Sequence, residues 1–187
     1  MPKIVDHKQR RLDIGDAVLE VVASEGVERL TVRKIAAVSG WSTGVLAHYA
    51  RDKDDMIDLA VTSMVTRFAV RLQAIDTSDT RRALRDVLAE LLPLDATRRT
   101  EAMAWARLAT HDADGSGSAR DVREGHRELR RHVASLLADI DEGHDPSVTA
   151  TELIALADGL AVHHLIDPHG MPRTRIEATL DARLAQI

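Results

Sequence analysis

The sequence predicts an all-α protein of about nine helices, and three observations carry that reading. Apolar residues recur at three- and four-residue spacing through most of the chain, the period of a helix with one buried face. Most such stretches open on a capping residue and close on glycine or proline. No stretch alternates β-branched with polar residues, as a half-buried strand would, and no internal repeat is present.

Taken in order, Ile14, Val18, Val21, Val22 and Glu25 keep helical register, and Gly26 is a natural stop. Thr31 is placed to cap a second helix whose apolar stripe is Val32, Ile35 and Ala36. Ser39-Gly40 breaks it, and Ser42 caps a third. Asp52 caps a fourth, longer helix running to about Ile75, with Met56, Leu59, Ala60, Ser63, Met64 and Phe68 on one side. Thr77-Ser-Asp79 forms a turn and a new cap. Leu84, Val87, Leu88, Leu91 and Leu92 then continue until Pro93 stops them. Asp95 caps the helix holding Trp105 and Leu108, and 111–118 has loop composition. A long helix follows, with Val122, Leu129, Val133, Leu136, Leu137 and Ile140 on one face and Gly143 at its end. Asp145-Pro146 is a cap followed by proline at the first helical position. Leu153, Leu156, Ala157, Leu160, Ala161 and His164 line the next helix. Asp167-Pro-His-Gly170 is a turn, and Thr174-x-x-Glu177 reads as a capping box for the last helix.

The 187 residues, 44% of them hydrophobic, suffice for a substantial core, as one domain or two small ones. Cysteine is absent, which excludes disulfides and thiolate catalysis. No apolar run is long enough to span a bilayer, and Met1–Lys8 lacks the apolar stretch of a secretory signal. The expectation is a cytoplasmic protein with no membrane partner. The net charge of −5 argues against a nucleic-acid partner, but its distribution argues back. Residues 1–53 carry nine Lys+Arg against seven Asp+Glu, and the remainder 16 against 23. A basic head on an acidic body is the pattern expected of a chain that meets phosphates at one end.

Residues 31–53 hold two short helices joined by a tight turn, the outline of a helix-turn-helix. Ile35, Ala36, Val45 and Leu46 supply the packing that would fix the angle between them. The second of the pair then presents Thr43, Gly44, Ala47 and His48 outward. Short side chains there let a backbone approach base edges and thymine methyls. Hydroxyls and free N–H groups at helix starts suit phosphates, which marks Thr31 and Ser42. Lys53, Arg33 and Lys34 are placed to reach phosphates as well.

The spaced residues Thr31, Ile35, Ala36, Ser39-Gly-Trp-Ser42, Gly44, Leu46, Ala47-His-Tyr-Ala50, Lys53 and Met56 resemble the signature of the TetR family of transcriptional regulators. Ser42-Thr-Gly44, His48-Tyr49 and Lys53-Asp54 are most similar to its BetI-like branch, as, less specifically, are Asp121–His126 and Ala157–Leu160. The resemblance implies a DNA-binding domain over 1–53 and a helical ligand-binding and dimerisation domain over 54–187. It implies a homodimer acting as a repressor on a near-palindromic duplex operator, and a small-molecule effector of unknown identity. It also implies that Tyr49 hydrogen-bonds a phosphate; read on its residue type alone, Tyr49 equally suits a core. Trp41 stands where the family has valine, and Ala47 and Ala50 where it has aromatics. Trp41 either fills the volume lost at Ala50 or touches DNA.

The helix from Pro146 carries apolar residues on more than one side, more than one core face requires, and is the expected pairing helix. Its partner in the pairing is either the helix over 118–142 or that over 173–186. The resemblance places an effector pocket among the fourth to eighth helices, with Met64, Phe68, Trp105, Leu108, His111, His126 and His163 as candidate liners. It suggests choline-like ligands. Against that, a quaternary ammonium favours an aromatic cage, and the body offers only Phe68 and Trp105.

Nine histidines invite an alternative, an all-α metal-dependent hydrolase using His126, His132, His163, His164 and His169. None has His-Glu-x-x-His spacing, and adjacent histidines point to different sides of a helix. Gly115-Ser-Gly-Ser118 lacks the strand-turn-helix setting of a nucleophile elbow. Asp112, Asp114, Asp141 and Glu142 read as solvated loop acids. No catalytic residue, cofactor or metal is expected. A helical module that pairs only with proteins is the remaining alternative.

Overall fold

The computed structural model describes residues 6–111, 119–140, 143 and 145–187. Among them are nine α-helices, one short 3-10 turn and no strand. They are α1 (His7–Glu25), η1 (Val27–Arg29), α2 (Val32–Ser39), α3 (Thr43–Tyr49), α4 (Lys53–Gln73), α5 (Thr80–Ala89), α6 (Ala96–His111), α7 (Ala119–Ala138), α8 (Pro146–Ile166) and α9 (Arg173–Leu184). Of the predicted loop over 111–118, His111 instead ends α6, and the rest, with Asp112, Asp114 and Gly115–Ser118, lies outside the described residues, as do Asp141 and Glu142. No helix among the described residues is long and apolar enough to cross a membrane.

Helix starts fall where side-chain oxygens can satisfy the first free N–H groups. Thr31 accepts from the Lys34 N–H and Ser42 from the Val45 N–H, each at 3.3 Å. Asp52 accepts from Asp55 (2.9 Å), Asp79 from Arg82 (3.1 Å) and Asp95 from Arg98 (2.8 Å). Asp145 accepts from Ser147 at 2.8 Å and Pro146 opens α8. Asp6 caps α1 in the same way, accepting from the Gln9 N–H at 3.0 Å.

Two predicted ends differ. The capping box at Thr174-Glu177 does not form, because α9 already runs at Arg173 with Pro172 as its N-cap and no side-chain cap bond. Asp167, which accepts from the Gly170 N–H at 2.8 Å, closes the preceding turn, and the proline φ of −65° starts the helix without a hydroxyl. α5 ends at Ala89 rather than at Pro93: the chain tightens into i→i+3 bonds from Leu91 to Leu88 and from Leu92 to Ala89 before the proline is reached.

Two compact units share the chain. The first takes residues up to Arg67 and Met103–Val122, so α4 and α6 each contribute one part to it. Its core is built from Ile14, Val18 and Val22 of α1, Ile35 of α2, Leu46 of α3, Leu59 and Ala60 of α4, and Ala104 and Leu108 of α6. α1 is held at two polar points. Asp16 accepts from Ser63 Oγ (2.5 Å) and from Arg67 Nε (2.7 Å) on α4. The Val22 carbonyl near its C-terminus accepts from Arg107 of α6 at 2.8 Å, a cation at the negative end of a helix. Gly15, next to the first of these ties, lies against α4 with no room for a side chain. A methyl group there would lie 2.7 Å from Ser63 Cβ and 3.0 Å from the Leu59 carbonyl carbon, with the carbonyl oxygen nearer still.

The second unit takes Phe68–Ala102 and Arg123–Ile187. Leu84, Val87 and Leu88 of α5, Leu129, Val133 and Leu137 of α7, Leu153, Ala157 and Leu160 of α8 and Ile176 and Leu180 of α9 form its core. A charge network is set into one side. Arg71 grips Glu101 with two N–H bonds (3.1 and 2.6 Å) and reaches Glu90 at 2.6 Å, and Arg98 reaches Glu90 at 3.0 Å and Asp95 at 2.7 Å. Glu101 is buried. The forked geometry satisfies several donors at once, which is what makes a desolvated arginine tolerable.

Candidate nucleic-acid interface

The helix-turn-helix is fixed from inside. Ile35 and Leu46 are buried in the first core, with Val32, Ala36 and Trp41 packed against it. Gly40 takes the left-handed conformation at φ 71°, which lets α2 stop and the chain reverse towards α3. Trp41 is half-buried against the core, and the Arg10 guanidinium lies 4.4 Å over its ring. These contacts fit the packing role that the sequence offered for the indole.

The outer face is exposed at most of the positions that the sequence marked, Tyr49 and Lys53 being half-buried. Thr31, Arg33, Ser42, Thr43, Gly44, Ala47 and His48 are all exposed. Tyr49 is half-buried, and its hydroxyl lies 2.8 Å from Nδ1 of His7, a residue the sequence reading passed over. Nothing in the residue pattern joins positions 7 and 49, which only the packing of α1 against the head brings together. Lys34 is ion-paired with Glu25, and Lys53 lies 3.7 Å from Glu28. At the start of α4, Arg51 holds Asp55 in a two-pronged pair (2.8 and 3.1 Å). That hydrogen bonding, together with a bond from the Arg51 N–H, brings the Asp55 carboxyl down to about 2. The corner between α3 and α4 therefore keeps its charges until the pH falls far below the neutral range.

Gly44 stands out on this face. A Cβ built there meets nothing nearer than Ser42 Oγ at 4.0 Å, and its φ is not positive. The fold does not require a glycine at the second position of α3. Gly44→Ala is expected to raise stability by about 0.5 kcal/mol, from the lower entropy of the unfolded chain, while lowering duplex affinity about tenfold by thickening the surface that approaches bases. Paired urea unfolding and duplex titration measure both; unchanged affinity would remove Gly44 from the interface.

Residues 80–187 match the family described as BetI-type transcriptional repressor, C-terminal. The regulator BetI of Escherichia coli K12 is 32% identical over 94% of this chain and 92% of its own. The chain belongs to the TetR family of ligand-responsive transcriptional regulators. A Rhodococcus transcriptional regulator of known structure is 30% identical, with a TM-score of 0.85 over 95% of both chains. A regulator from Saccharomonospora viridis, solved in complex with choline, shares the fold at TM-score 0.81 and 20% identity, over 96% of this chain and 97% of its own. As a TetR-family member the chain carries a DNA-binding helix-turn-helix.

The effector residues expected of a TetR-family body fall in different places. Met64 and Trp105 are half-buried in the first unit, and Leu108 is buried in its core. Phe68 and His126 are half-buried and His163 exposed in the second. His111 ends α6, and its side chain lies outside the described residues. Two half-buried groups of the second unit have shifted titrations. Burial pulls the His126 imidazole below the usual histidine range, against the pull of Asp158, and pushes the Asp158 carboxyl up, against His126. His164, beside the exposed His163, is a core histidine whose Nδ1–H donates to the Met171 carbonyl at 2.8 Å. Among the described residues no three His, Cys, Asp or Glu side chains converge to hold a metal.

Proposed function

We propose that this chain is a cytoplasmic, ligand-responsive repressor that binds a near-palindromic operator as a homodimer. The observation that carries it is the outer face of α3, where Thr43, Gly44, Ala47 and His48 are all exposed. Two such helices would enter successive major grooves about 34–36 Å apart. Thr31, Ser42, Tyr49, Lys53 and Arg33 would hold phosphates around them. A small molecule bound in the body would favour a dimer with a different head spacing. A coupling of about 1–3 kcal/mol would then lower operator affinity about 5- to 150-fold. Choline, the ligand of the Saccharomonospora structure, is not the effector we assign here. With Phe68 and Trp105 as its only aromatic residues beyond position 53, the body does not supply an aromatic cage.

The pairing helix in this reading is α8. Val148, Glu152, Ala155, Gly159, Val162 and Ile166 follow a four-three-four-three-four spacing along it, the seam of helices that cross at a shallow angle. Val148 is 64% exposed, Val162 43% and Ile166 76%, and a Cβ at Gly159 would meet nothing within 4 Å. A single chain leaves Val148, Val162 and Ile166 exposed, and a second copy would bury them.

Selection of bound fragments from random duplex DNA tests the reading. Enrichment of a two-fold motif is expected; no motif and no salt-dependent duplex binding would leave the protein-only alternative standing. Lys53→Ala should weaken binding to all sequences alike and reduce the salt slope by about one ion. Thr43→Ala should change which sequences are preferred. An unchanged salt slope in Lys53→Ala would remove that residue from the phosphate set.

A further inference from the structure

Tyr49 closes α3 with its ring against the first core, and its hydrogen bond to His7 is exposed. Nδ1 of His7, the first residue of α1, lies 2.8 Å from the phenol oxygen, with the two rings 6.1 Å apart. His48 meets the same phenol edge-on at 5.3 Å. Two exposed imidazoles therefore flank one tyrosine, beside the exposed Thr43 and Gly44. A phenol has one proton to donate. When Tyr49 gives it to His7, none remains for an outside acceptor. When His7 instead donates its Nδ1–H to the phenol oxygen, the Tyr49 O–H is free to point outward. A phosphate at Tyr49 selects the second arrangement, and its charge favours the imidazolium over the neutral ring.

We propose that His7 is a positioning residue of the DNA interface: it donates Nδ1–H to Tyr49, turns the tyrosine O–H onto a phosphate oxygen, and takes up a proton as the complex forms. The inference rests on the duplex-binding reading of α3 given above. The complex then holds more protons than the free protein, so affinity falls as pH rises through the range in which imidazoles titrate. The charged and titratable groups nearest the pair are Asp6, which caps α1, Lys8, Arg10 and Arg11 on α1 and His48 on α3. α4 contributes Asp55, whose carboxylate is tied to Arg51 and feels Arg11. Of these, His48 is the second imidazole, and the variants below separate the two.

The test is the full chain titrated with a generic mixed-sequence duplex at low salt, at pH 6 and pH 8. Wild type is expected to bind about three- to tenfold more tightly at pH 6, the span of up to one unit of pKa change on binding. His7→Ala should lose about tenfold in affinity at pH 6 and most of that pH dependence. His7→Asn places a non-titrating N–H donor near the same point, so it should keep affinity at pH 8 while losing the pH dependence. In a Tyr49→Phe background, His7→Ala should cost nothing further. The proposal is overturned if His7→Ala binds like wild type, if it costs as much without the tyrosine hydroxyl, or if His48→Asn alone removes the whole pH dependence. Wild type failing to bind any duplex at low salt would overturn the duplex-binding reading itself, a result distinct from all three.

Discussion

Gly15→Ala will destabilise this protein by about 2–3 kcal/mol, although alanine is the better helix former by about 1 kcal/mol. The sign is decided by what surrounds the position. The added methyl group would meet Ser63 Cβ at 2.7 Å and the Leu59 backbone, all on α4. A flexible side-chain tip could swing away, but a carbonyl inside a helix cannot move unless the helix moves. α1 and α4 would have to separate, which strains the neighbouring ties from Asp16 to Ser63 and Arg67. Urea unfolding should show a lower midpoint with an unchanged slope. A midpoint equal to wild type would mean that the two helices do not cross this closely.

Ile166→Glu should leave the fold intact and abolish pairing. Ile166 is 76% exposed in the single chain, so a carboxylate there costs little in the monomer. In a paired α8 seam it would put a carboxylate into a desolvated apolar contact. The loss of the second recognition helix removes the gain of binding two half-sites at once, about 10²–10⁴-fold in duplex affinity. Sedimentation should show a monomer. Val70→Glu is the control: Val70 is 60% exposed on α4, outside the seam, and its substitution should change neither property. A dimeric Ile166→Glu protein would move the pairing surface elsewhere.

Local features were legible in the residues. Thr31, Ser42, Asp52, Asp79, Asp95 and Asp145 all cap the helices that they were expected to cap, because a cap needs only a short oxygen-bearing side chain and the next three residues. Gly26 and Gly40 take the positive φ that ends α1 and α2. The exposed set on α3 was legible for a similar reason: once Ile35 and Leu46 face inward, helical periodicity turns Thr43, Ala47 and His48 outward. What the residues did not show depends on distant parts of the chain. Gly15 looks like any helical glycine until α4 is laid across it. His7 has no partner within its own helix that would mark it. Thr174-Glu177 had the spacing of a capping box, but Pro172 had already begun the helix.

The knot of arginine and carboxylate around Arg71, Glu90, Glu101 and Arg98 has a consequence for how the protein answers to its ionic surroundings. Electrolyte weakens attractions that run through water over distances near the Debye length, about 8 Å at physiological strength, and barely touches charges in direct contact and withdrawn from solvent. A rise in ions would therefore loosen the grip on a duplex long before it loosened this part of the body. The body would remain folded and able to receive its small molecule in conditions where the head has already let go.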